Sequence, residues 1–198
     1  EKVDLSAKNG KVTYDTLSSP KASRFCFNLW VYMESINSTG ETQIFKVTNG
    51  TSTPTTFFEL YTTNTPTLKY RINTEGGGEK DNEIMPNFPL QKWVCVMVSF
   101  DNKIVDLYVD GKLIRSQQLE NAPVSTDSNF EISYGECTSC KGYVAKMERL
   151  PNPMDPTTAW NKYMEGNGGN YFSRLLSSYG ATFTLTKDDL DLRQFNLF

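Results

Sequence analysis

The sequence predicts an all-β protein: an antiparallel jelly-roll β-sandwich with a short helical C-terminal extension. Apolar side chains alternate with polar or mixed ones along several segments, which is the period of a strand with one buried face. Turn-forming Gly, Asn, Asp and Ser residues separate these segments, as they do in antiparallel sandwiches. The 198 residues, 38% of them hydrophobic and 13% aromatic, suffice for one domain with its own core.

Three segments show the alternation most clearly. In residues 24–33 the odd positions are all apolar, whereas the even positions include Cys, Asn, Trp and Tyr, so this strand has one apolar face and one mixed, aromatic face. Residues 93–100 and 104–109 repeat the arrangement. Asp110-Gly111 then predicts a tight turn, because both residues tolerate positive φ, and residues 112–119 form the partner strand. Weaker alternation predicts five more strands, at residues 43–47, 56–61, 67–73, 129–134 and 142–149.

A different pattern begins after residue 150. Asp155 is a good N-cap and Pro156 fits the first helical position, and an apolar stripe then leads to Gly166, where a helix is expected to end. We therefore expect residues 1–150 to form the sandwich and residues 151–198 to form an extension packed on the same domain. Within this extension the pattern also predicts a second helix and a late strand, at residues 170–179 and 182–186.

Composition excludes several classes of protein. The chain contains no histidine, which removes Ser-His-Asp and Cys-His nucleophiles and histidine-ligated metal sites. The net charge of −3 argues against binding to a nucleic-acid backbone. No run of 18 apolar residues occurs, so contact with a membrane is expected only through a segment upstream of Glu1.

Two N-glycosylation sequons bear on the compartment. Asn37-Ser-Thr and Asn49-Gly-Thr both fit the acceptor pattern. They favour an extracellular or surface-exposed location; the location on a virion is implied by the resemblance described below.

Several motifs resemble a known family. Phe25-Cys-Phe-Asn-Leu-Trp-Val-Tyr, Trp93-Val-Cys-Val-Met-Val-Ser-Phe-Asp and Val105-Asp-Leu-Tyr-Val-Asp-Gly-Lys-Leu resemble laminin G-like members of the concanavalin A-like lectin/glucanase superfamily. The resemblance implies a jelly roll of two curved sheets without implying one activity. Pro153-Met-Asp-Pro-Thr-Thr-Ala-Trp and the following tail resemble lectin-like proteins of large DNA viruses of algae and protists.

An acidic segment matches the catalytic spacing of the family's glucanases. Glu79, Asp81 and Glu83 fit E-x-D-x-E, in which carboxylates share one strand face. Such a strand needs apolar residues at the intervening positions, which here are Lys80 and Asn82. Because the segment also follows three glycines, we interpret it as a solvated acidic loop and the chain as non-enzymatic.

The four cysteines suggest two disulfide hypotheses. Cys26 and Cys95 both fall on the mixed faces of their strands, and the corresponding strands are bridged in pentraxins of the same superfamily; the alternative is two buried free thiols. Cys137 and Cys140 form a C-x-x-C in a predicted loop. Without a βαβ context or two further ligands, a short disulfide is favoured over a redox motif or a zinc site, and free thiols are the alternative.

Calcium is the only cofactor that the resemblance brings into question, since many relatives hold it with loop oxygens. Asp101, Asp106, Asp110, Asp127 and Glu136 are available, but they form no dense acidic loop. Turn and surface roles account for each of them, so we expect no cofactor.

The aromatic residues of the mixed face have two interpretations. Trp30, Tyr32, Trp93 and Tyr108 could stack on sugar rings. Alternatively, residues 151–198 could cover them and make this face a second hydrophobic core, which we favour because the extension is itself rich in aromatic and aliphatic residues.

These observations predict a non-catalytic interaction module, a structural or attachment component of a large DNA virus particle. Its partners would be other proteins of a particle or surface assembly, contacted through loops at residues 35–42, 49–55 and 75–87. The alternative is a carbohydrate-binding lectin domain, and a more distant one is a glycoside hydrolase that uses the Glu79, Asp81 and Glu83 carboxylates.

Overall fold

The computed structural model describes residues 2–6, 9–13, 23–49, 55–124, 130–135, 140–167, 182–187 and 190–196. In this part of the chain, twelve strands form two six-stranded antiparallel sheets. The first sheet contains, from edge to edge, β1 (Lys2–Asp4), β12 (Lys141–Leu150), β3 (Arg24–Ser35), β8 (Trp93–Asp101), β9 (Ile104–Val109) and β10 (Lys112–Gln118). The second contains β2 (Asn9–Thr13), β11 (Phe130–Tyr134), β4 (Thr42–Asn49), β5 (Thr55–Thr62), β6 (Leu68–Thr74) and β7 (Gly78–Met85).

The C-terminal extension adds helix α1 (Pro156–Met164) and a hairpin of β13 (Thr182–Lys187) and β14 (Leu190–Asn196). The predicted fold class, an antiparallel sandwich with a short C-terminal helix, is confirmed. A strand is present where residues 182–186 predict one, and the second helix predicted at residues 170–179 lies outside the described residues.

The main core lies between the two sheets. The apolar face of β3 is fully buried there, as the alternation in residues 24–33 predicts. The Phe27 ring contacts Phe45 and Phe58 of the second sheet, with ring centroids 5.2 and 5.1 Å apart. A register irregularity next to Phe58 brings Phe57 into the same core, so β5 contributes two consecutive phenylalanines. Each such ring contributes about 1.5–3 kcal/mol through the apolar area that it buries.

The structure corrects the interpretation of residues 75–87 as a loop. Gly76 and Gly78 have φ angles of 69° and 70° and turn the chain back, and β7 then pairs with β6 from Gly78 to Met85. The strand lacks the expected alternation because it is the edge of its sheet, and within it only Ile84 is buried. An edge strand that exposes most of its side chains can form a regular ladder from polar residues.

Helix α1 packs on the outer face of the first sheet, the face turned away from the second sheet. The Asp155 carboxylate caps the helix by accepting hydrogen bonds from the backbone amides of Thr157 and Thr158, at 2.9 and 3.0 Å. Ala159 is the buried residue of the helix, and Tyr163 packs beside it. A second, smaller hydrophobic cluster thus forms between the helix and the sheet.

The segment that leads into α1 is attached to the first sheet through the backbone of Met154. The amide of Met154 donates to Ser99 Oγ at 2.7 Å, and the Met154 carbonyl accepts from Tyr108 Oη at 3.0 Å. Burial raises the pKa of Tyr108 to about 12, so its hydroxyl remains a donor at neutral pH. Both backbone polar groups of the buried Met154 are therefore satisfied by side chains of the sheet.

Candidate functional site

Two neighbouring rows of side chains cross the outer face of the first sheet. In one row Trp30 lies between Ala145 and Cys95 on the adjacent strands, and in the other Tyr32 lies between Tyr143 and Trp93. The rows alternate with valines that point into the main core, which is why the sequence shows a mixed face opposite an apolar one.

Helix α1 covers the first row. The Trp30 ring is 1% exposed and stacks on Tyr163, with centroids 5.6 Å apart and an interplanar angle of 20°. Tyr108 is equally buried. These two candidates for sugar stacking therefore belong to the second hydrophobic cluster and present no accessible ring face.

The second row is partly accessible, and we call Tyr143, Tyr32 and Trp93 the aromatic row. All three side chains are half-buried, and they lie abreast on three adjacent antiparallel strands. The ring centroid of Tyr32 is 5.5 Å from that of Trp93 and 6.2 Å from that of Tyr143. Tyr32 and Trp93 were among the predicted stacking residues, whereas Tyr143 was missed, because its place beside Tyr32 depends on the strand order.

One end of the aromatic row lies on β1. Lys2 Nζ stands 3.5 Å from the centroid of the Tyr143 ring, a cation–π contact. Asp4 lies directly opposite Tyr143 in the ladder. Hydrogen bonds from the Ser6 hydroxyl and amide lower the pKa of Asp4, so a carboxylate and an ammonium stand together at this end.

The other end lies at the β9–β10 turn. Asp110 accepts a hydrogen bond from the Cys95 amide at 2.9 Å, and its second carboxylate oxygen pairs with Lys92 Nζ at 3.3 Å. β9 ends at Val109, so the row terminates at Trp93. The Lys92–Asp110 ion pair lies level with Cys95, two residues along β8 from Trp93.

Cys26 and Cys95 form no disulfide and are fully buried beneath α1. Cys95 pairs with Trp30 in the ladder and Cys26 pairs with Ser99, which offsets the two cysteines by four residues. At about 3.3 Å per residue this is roughly 13 Å along the strands, too far for a disulfide without movement of the backbone. Burial, and to a smaller extent the charge of Cys95, raises the pKa of Cys26.

Cys140 is buried and disulfide-bonded. The other member of the predicted pair, Cys137, lies outside the described residues. The bond between these two residues therefore stays a prediction.

The carboxylates with glucanase spacing lie on β7 rather than in a loop. Glu79, Asp81 and Glu83 alternate along one side of the strand and are exposed. Lys80 is exposed between them, where a glucanase strand needs an apolar side chain. The general acid of a glucanase stands in a shielded, apolar surrounding, whereas these side chains are exposed at the edge of the sheet.

Arg71 occupies the middle of the charged face beside β7. Its guanidinium contacts Asp81 at 2.7 Å, Glu59 at 2.9 Å and Glu41 at 3.2 Å, and it lies over the Tyr61 ring. Asp81 is therefore engaged in an ion pair. This network joins the loop before β4 to three strands of the second sheet.

The acidic residues considered for calcium are dispersed. Asp101 pairs with Arg24 at 2.9 Å, Asp110 pairs with Lys92, and Asp106 lies in the middle of β9. Asp127 and Glu136 lie outside the described residues. Among the residues that the structure describes, no three carboxylates or cysteines are grouped so as to hold a metal ion.

The two sequons lie at different positions. Asn37 is in the loop between β3 and β4, where its side-chain oxygen accepts hydrogen bonds from the amide and hydroxyl of Thr39 at 3.1 and 3.0 Å. Asn49 is the last residue of β4, and the rest of its sequon lies outside the described residues. In the described part of the chain, α1 is too short to cross a membrane.

The two facing antiparallel sheets form a jelly-roll β-sandwich. The model of the family described as "Concanavalin A-like lectin/glucanases superfamily" matches residues 6–147. The chain belongs to this laminin G-like family. No curated protein sequence matches it significantly.

Solved structures share the fold at low sequence identity. The botulinum neurotoxin serotype G binding domain superposes with a TM-score of 0.62 at 11% identity, over 83% of this chain and 42% of that one. The serotype D ligand-binding domain, solved in complex with N-acetylneuraminic acid, gives a TM-score of 0.63 at 14% identity, again over 83% and 42%. The chain thus spans about two fifths of these domains, and the likeness is one of fold.

Proposed function

We propose that this chain is a non-catalytic, carbohydrate-binding module that recognises glycans on the aromatic row. The observation that carries the proposal is the alignment of three partly accessible rings on adjacent strands, beside a row of the same face that the helix covers. Binding sites for small molecules combine apolar and aromatic surface with a few fixed polar groups. The aromatic row provides the aromatic surface, and the charged groups near its two ends provide the polar contacts.

The row is suited to sugar rings for a physical reason. The apolar C–H face of a pyranose packs on an aromatic face, while its hydroxyls need donors and acceptors at the edges. The cross-strand contacts of Tyr32 with Trp93 and Tyr143 hold the rings in place before a ligand arrives. Little conformational entropy is then lost at the protein side on binding.

The comparisons support the class of function rather than a ligand. The solved neighbours are described as binding domains, and one holds N-acetylneuraminic acid. That sugar belongs to a chain of which only 42% corresponds to this one. The sugar recognised by this chain is therefore a matter for experiment.

The absence of catalysis is part of the proposal. The E-x-D-x-E carboxylates of β7 lie at an exposed edge, and Asp81 is held by Arg71. A hydrolase would need one carboxylic acid in a shielded, apolar setting to donate a proton.

A glycan-array screen of the purified chain, run with calcium and again with a chelator, tests the proposal. We expect reproducible binding in both buffers that is lost in Trp93→Ala and kept in Trp160→Ala, a matched control that removes a tryptophan outside the row. Bound glycans should be recovered intact after prolonged incubation. A blank array with a well-folded protein would contradict the proposal, and cleavage products would contradict its non-catalytic part.

A second candidate function, a component of a viral particle or surface assembly, is favoured by a different surface. Ile104, Leu113 and Ile114 are 48%, 46% and 42% exposed on β9 and β10, where β10 is the edge strand of the first sheet. Exposed aliphatic residues on an edge strand suit contacts with other proteins. Sedimentation should then show concentration-dependent association that Leu113→Lys abolishes, and a strictly monomeric chain would argue against self-assembly through this edge.

We also propose a surface-exposed or extracellular location, as the sequons suggest. The Asn37 sequon lies in a loop, where Asn37 is half-buried and the next two residues are exposed. Expression through a secretory pathway should add a glycan that Asn37→Gln removes, and an unchanged mass would count against modification of this site.

A further inference from the structure

We infer that the glycan runs across the strands, as a neutral linear chain with successive sugars over Trp93 and Tyr32 and a third sugar held by the polar end at Tyr143. The inference rests on the proposed function and specifies its ligand: a neutral, unbranched oligosaccharide of about three units. Three features of the row support it: the ring spacing, the neighbours along each strand, and the charges at the ends.

The ring spacing gives the direction. Adjacent centroids in the row are 5.5 and 6.2 Å apart, which is comparable with the length of one pyranose in an extended chain. A sugar chain that follows the row therefore places one residue at each aromatic position. The rings are tilted by 47° and 40° with respect to one another, which suits a twisted single chain better than a flat crystalline surface.

The neighbours of Tyr32 along β3 argue against a ligand that runs parallel to this strand. Two residues before Tyr32 on the same face, about 7 Å away, Trp30 is covered by Tyr163 of α1. Two residues after it, the exposed Glu34 ends the aromatic surface. A ligand that followed β3 would meet the helix at one end and a carboxylate at the other.

The two ends of the row differ in their access. Trp93 is the last ring on its side, since β9 ends at Val109. On the other side Lys2 Nζ stands over the Tyr143 ring, so the third position offers an ammonium and the Asp4 carboxylate rather than an open ring face. One cation and one anion held side by side can bond to adjacent hydroxyls of a sugar. The third contact is accordingly polar.

The charges indicate a neutral ligand. Lys2 and Asp4 stand at the Tyr143 end of the row, and the Lys92–Asp110 ion pair lies two residues along β8 from Trp93, so an ammonium stands with a carboxylate on both sides. Glu34, on the same face, adds a negative charge that opposes acidic sugars. Since the ends carry no excess positive charge, binding of the ligand should depend little on ionic strength.

The test uses linear β-linked gluco-, manno-, galacto- and xylo-oligosaccharides of one to six units, together with glucuronate-terminated trisaccharides. In every series that binds, we expect affinity to rise about tenfold or more from one to three units and then to level off, at low and high salt alike. Lys2→Met should reduce trisaccharide binding towards the disaccharide level and should weaken disaccharide binding less. Because Lys2 is exposed, this variant is expected to fold, and Trp160→Ala serves as its control.

Different outcomes separate the two claims. Equal binding of mono- and trisaccharides, a continued rise beyond three units, or a preference for the acidic trisaccharide would overturn the inference and leave the glycan-binding function intact. Loss of binding in Trp93→Ala with no effect of Lys2→Met would overturn the third contact. No binding in any of the series, when the array identifies other glycans, would overturn the linear neutral ligand, and a blank array as well would overturn both claims.

Discussion

Tyr32 lies directly opposite Trp93 on neighbouring antiparallel strands, and their ring centroids are 5.5 Å apart. Each residue belongs to the mixed face of its strand, and each is half-buried. Two positions along the same strands, Trp30 and Cys95 are also paired, but helix α1 covers them. One face of one sheet is thus divided between a hydrophobic cluster and an accessible aromatic row.

Gly111 allows the helix to approach the sheet. It has a φ of 75°, and an added Cβ would lie 2.9 Å from Tyr163 Cβ and 3.2 Å from Trp160 Cα. We expect Gly111→Ala to lower the free energy of unfolding by about 2–4 kcal/mol, through backbone strain and a forced shift of α1. Gly76→Ala is the matched control, because Gly76 has a similar φ of 69° but open space around it. Equal losses in the two variants, measured by denaturant unfolding, would argue against close packing of the helix.

Arg71 should be needed for stability because Glu59 beneath it is nearly buried. The Glu59 side chain is 9% exposed, whereas that of Asp81 is 52% exposed. Arg71→Met leaves the Glu59 carboxylate without its cation and should cost about 2–3 kcal/mol. Asp81→Asn should cost less than about 0.5 kcal/mol, since it removes an exposed pair. Adding Glu59→Gln to Arg71→Met should restore part of the loss, and a purely additive double mutant would contradict the coupling.

Cys26 and Cys95 should not react in the folded protein. Both are buried, and burial raises the pKa of the Cys26 thiol, so it stays protonated at neutral pH. A maleimide added to the native protein should leave both residues unmodified, and the same reagent in denaturant should label both, as read by peptide mapping. Rapid labelling of the native protein would indicate that the helix leaves the sheet readily.

The cap of α1 should make the stability of the helix depend on acid pH. Hydrogen bonds from the hydroxyl and amide of Thr158, and from the Thr157 amide, lower the pKa of Asp155. A lowered folded-state pKa contributes stability above the ordinary Asp value, and this contribution is lost as the pH falls through the lowered value. Asp155→Asn, which keeps the cap but not the charge, should lower the melting temperature less than Asp155→Ala near neutral pH and remove this acid dependence. An unchanged acid dependence in Asp155→Asn would contradict this role of the carboxylate.

Sequence patterns predict the strands with buried faces better than the edges. Residues 24–33, 93–100 and 104–109 form inner strands of the first sheet. Their side chains therefore point alternately into the main core and towards the second hydrophobic cluster. β7 carries Glu79 to Glu83 at an edge, where backbone pairing does not demand apolar side chains, so its sequence predicts a loop and not a strand.

The site is predicted only in part for a similar reason. Alternation identifies Trp30, Tyr32, Trp93 and Tyr108 as residues of one face, but it does not reveal which of them the helix covers. Tyr143 becomes a neighbour of Tyr32 through the pairing of β12 with β3, a long-range relationship that no local pattern contains. Helix α1 determines which rings stay accessible. Its position is fixed by the hydrogen bonds of the Met154 backbone and by its close contact with Gly111.

Calorimetric titration of wild type, Trp93→Ala and Trp160→Ala with the strongest glycan from the array tests the glycan site most directly. We expect Trp93→Ala to weaken binding at least about tenfold, or about 1.4 kcal/mol, and Trp160→Ala to bind like wild type. Both tryptophans are partly accessible aromatic residues on the same side of the sheet, so the comparison isolates the aromatic row. Unchanged binding by a folded Trp93→Ala protein would contradict the claim that this row is the glycan site.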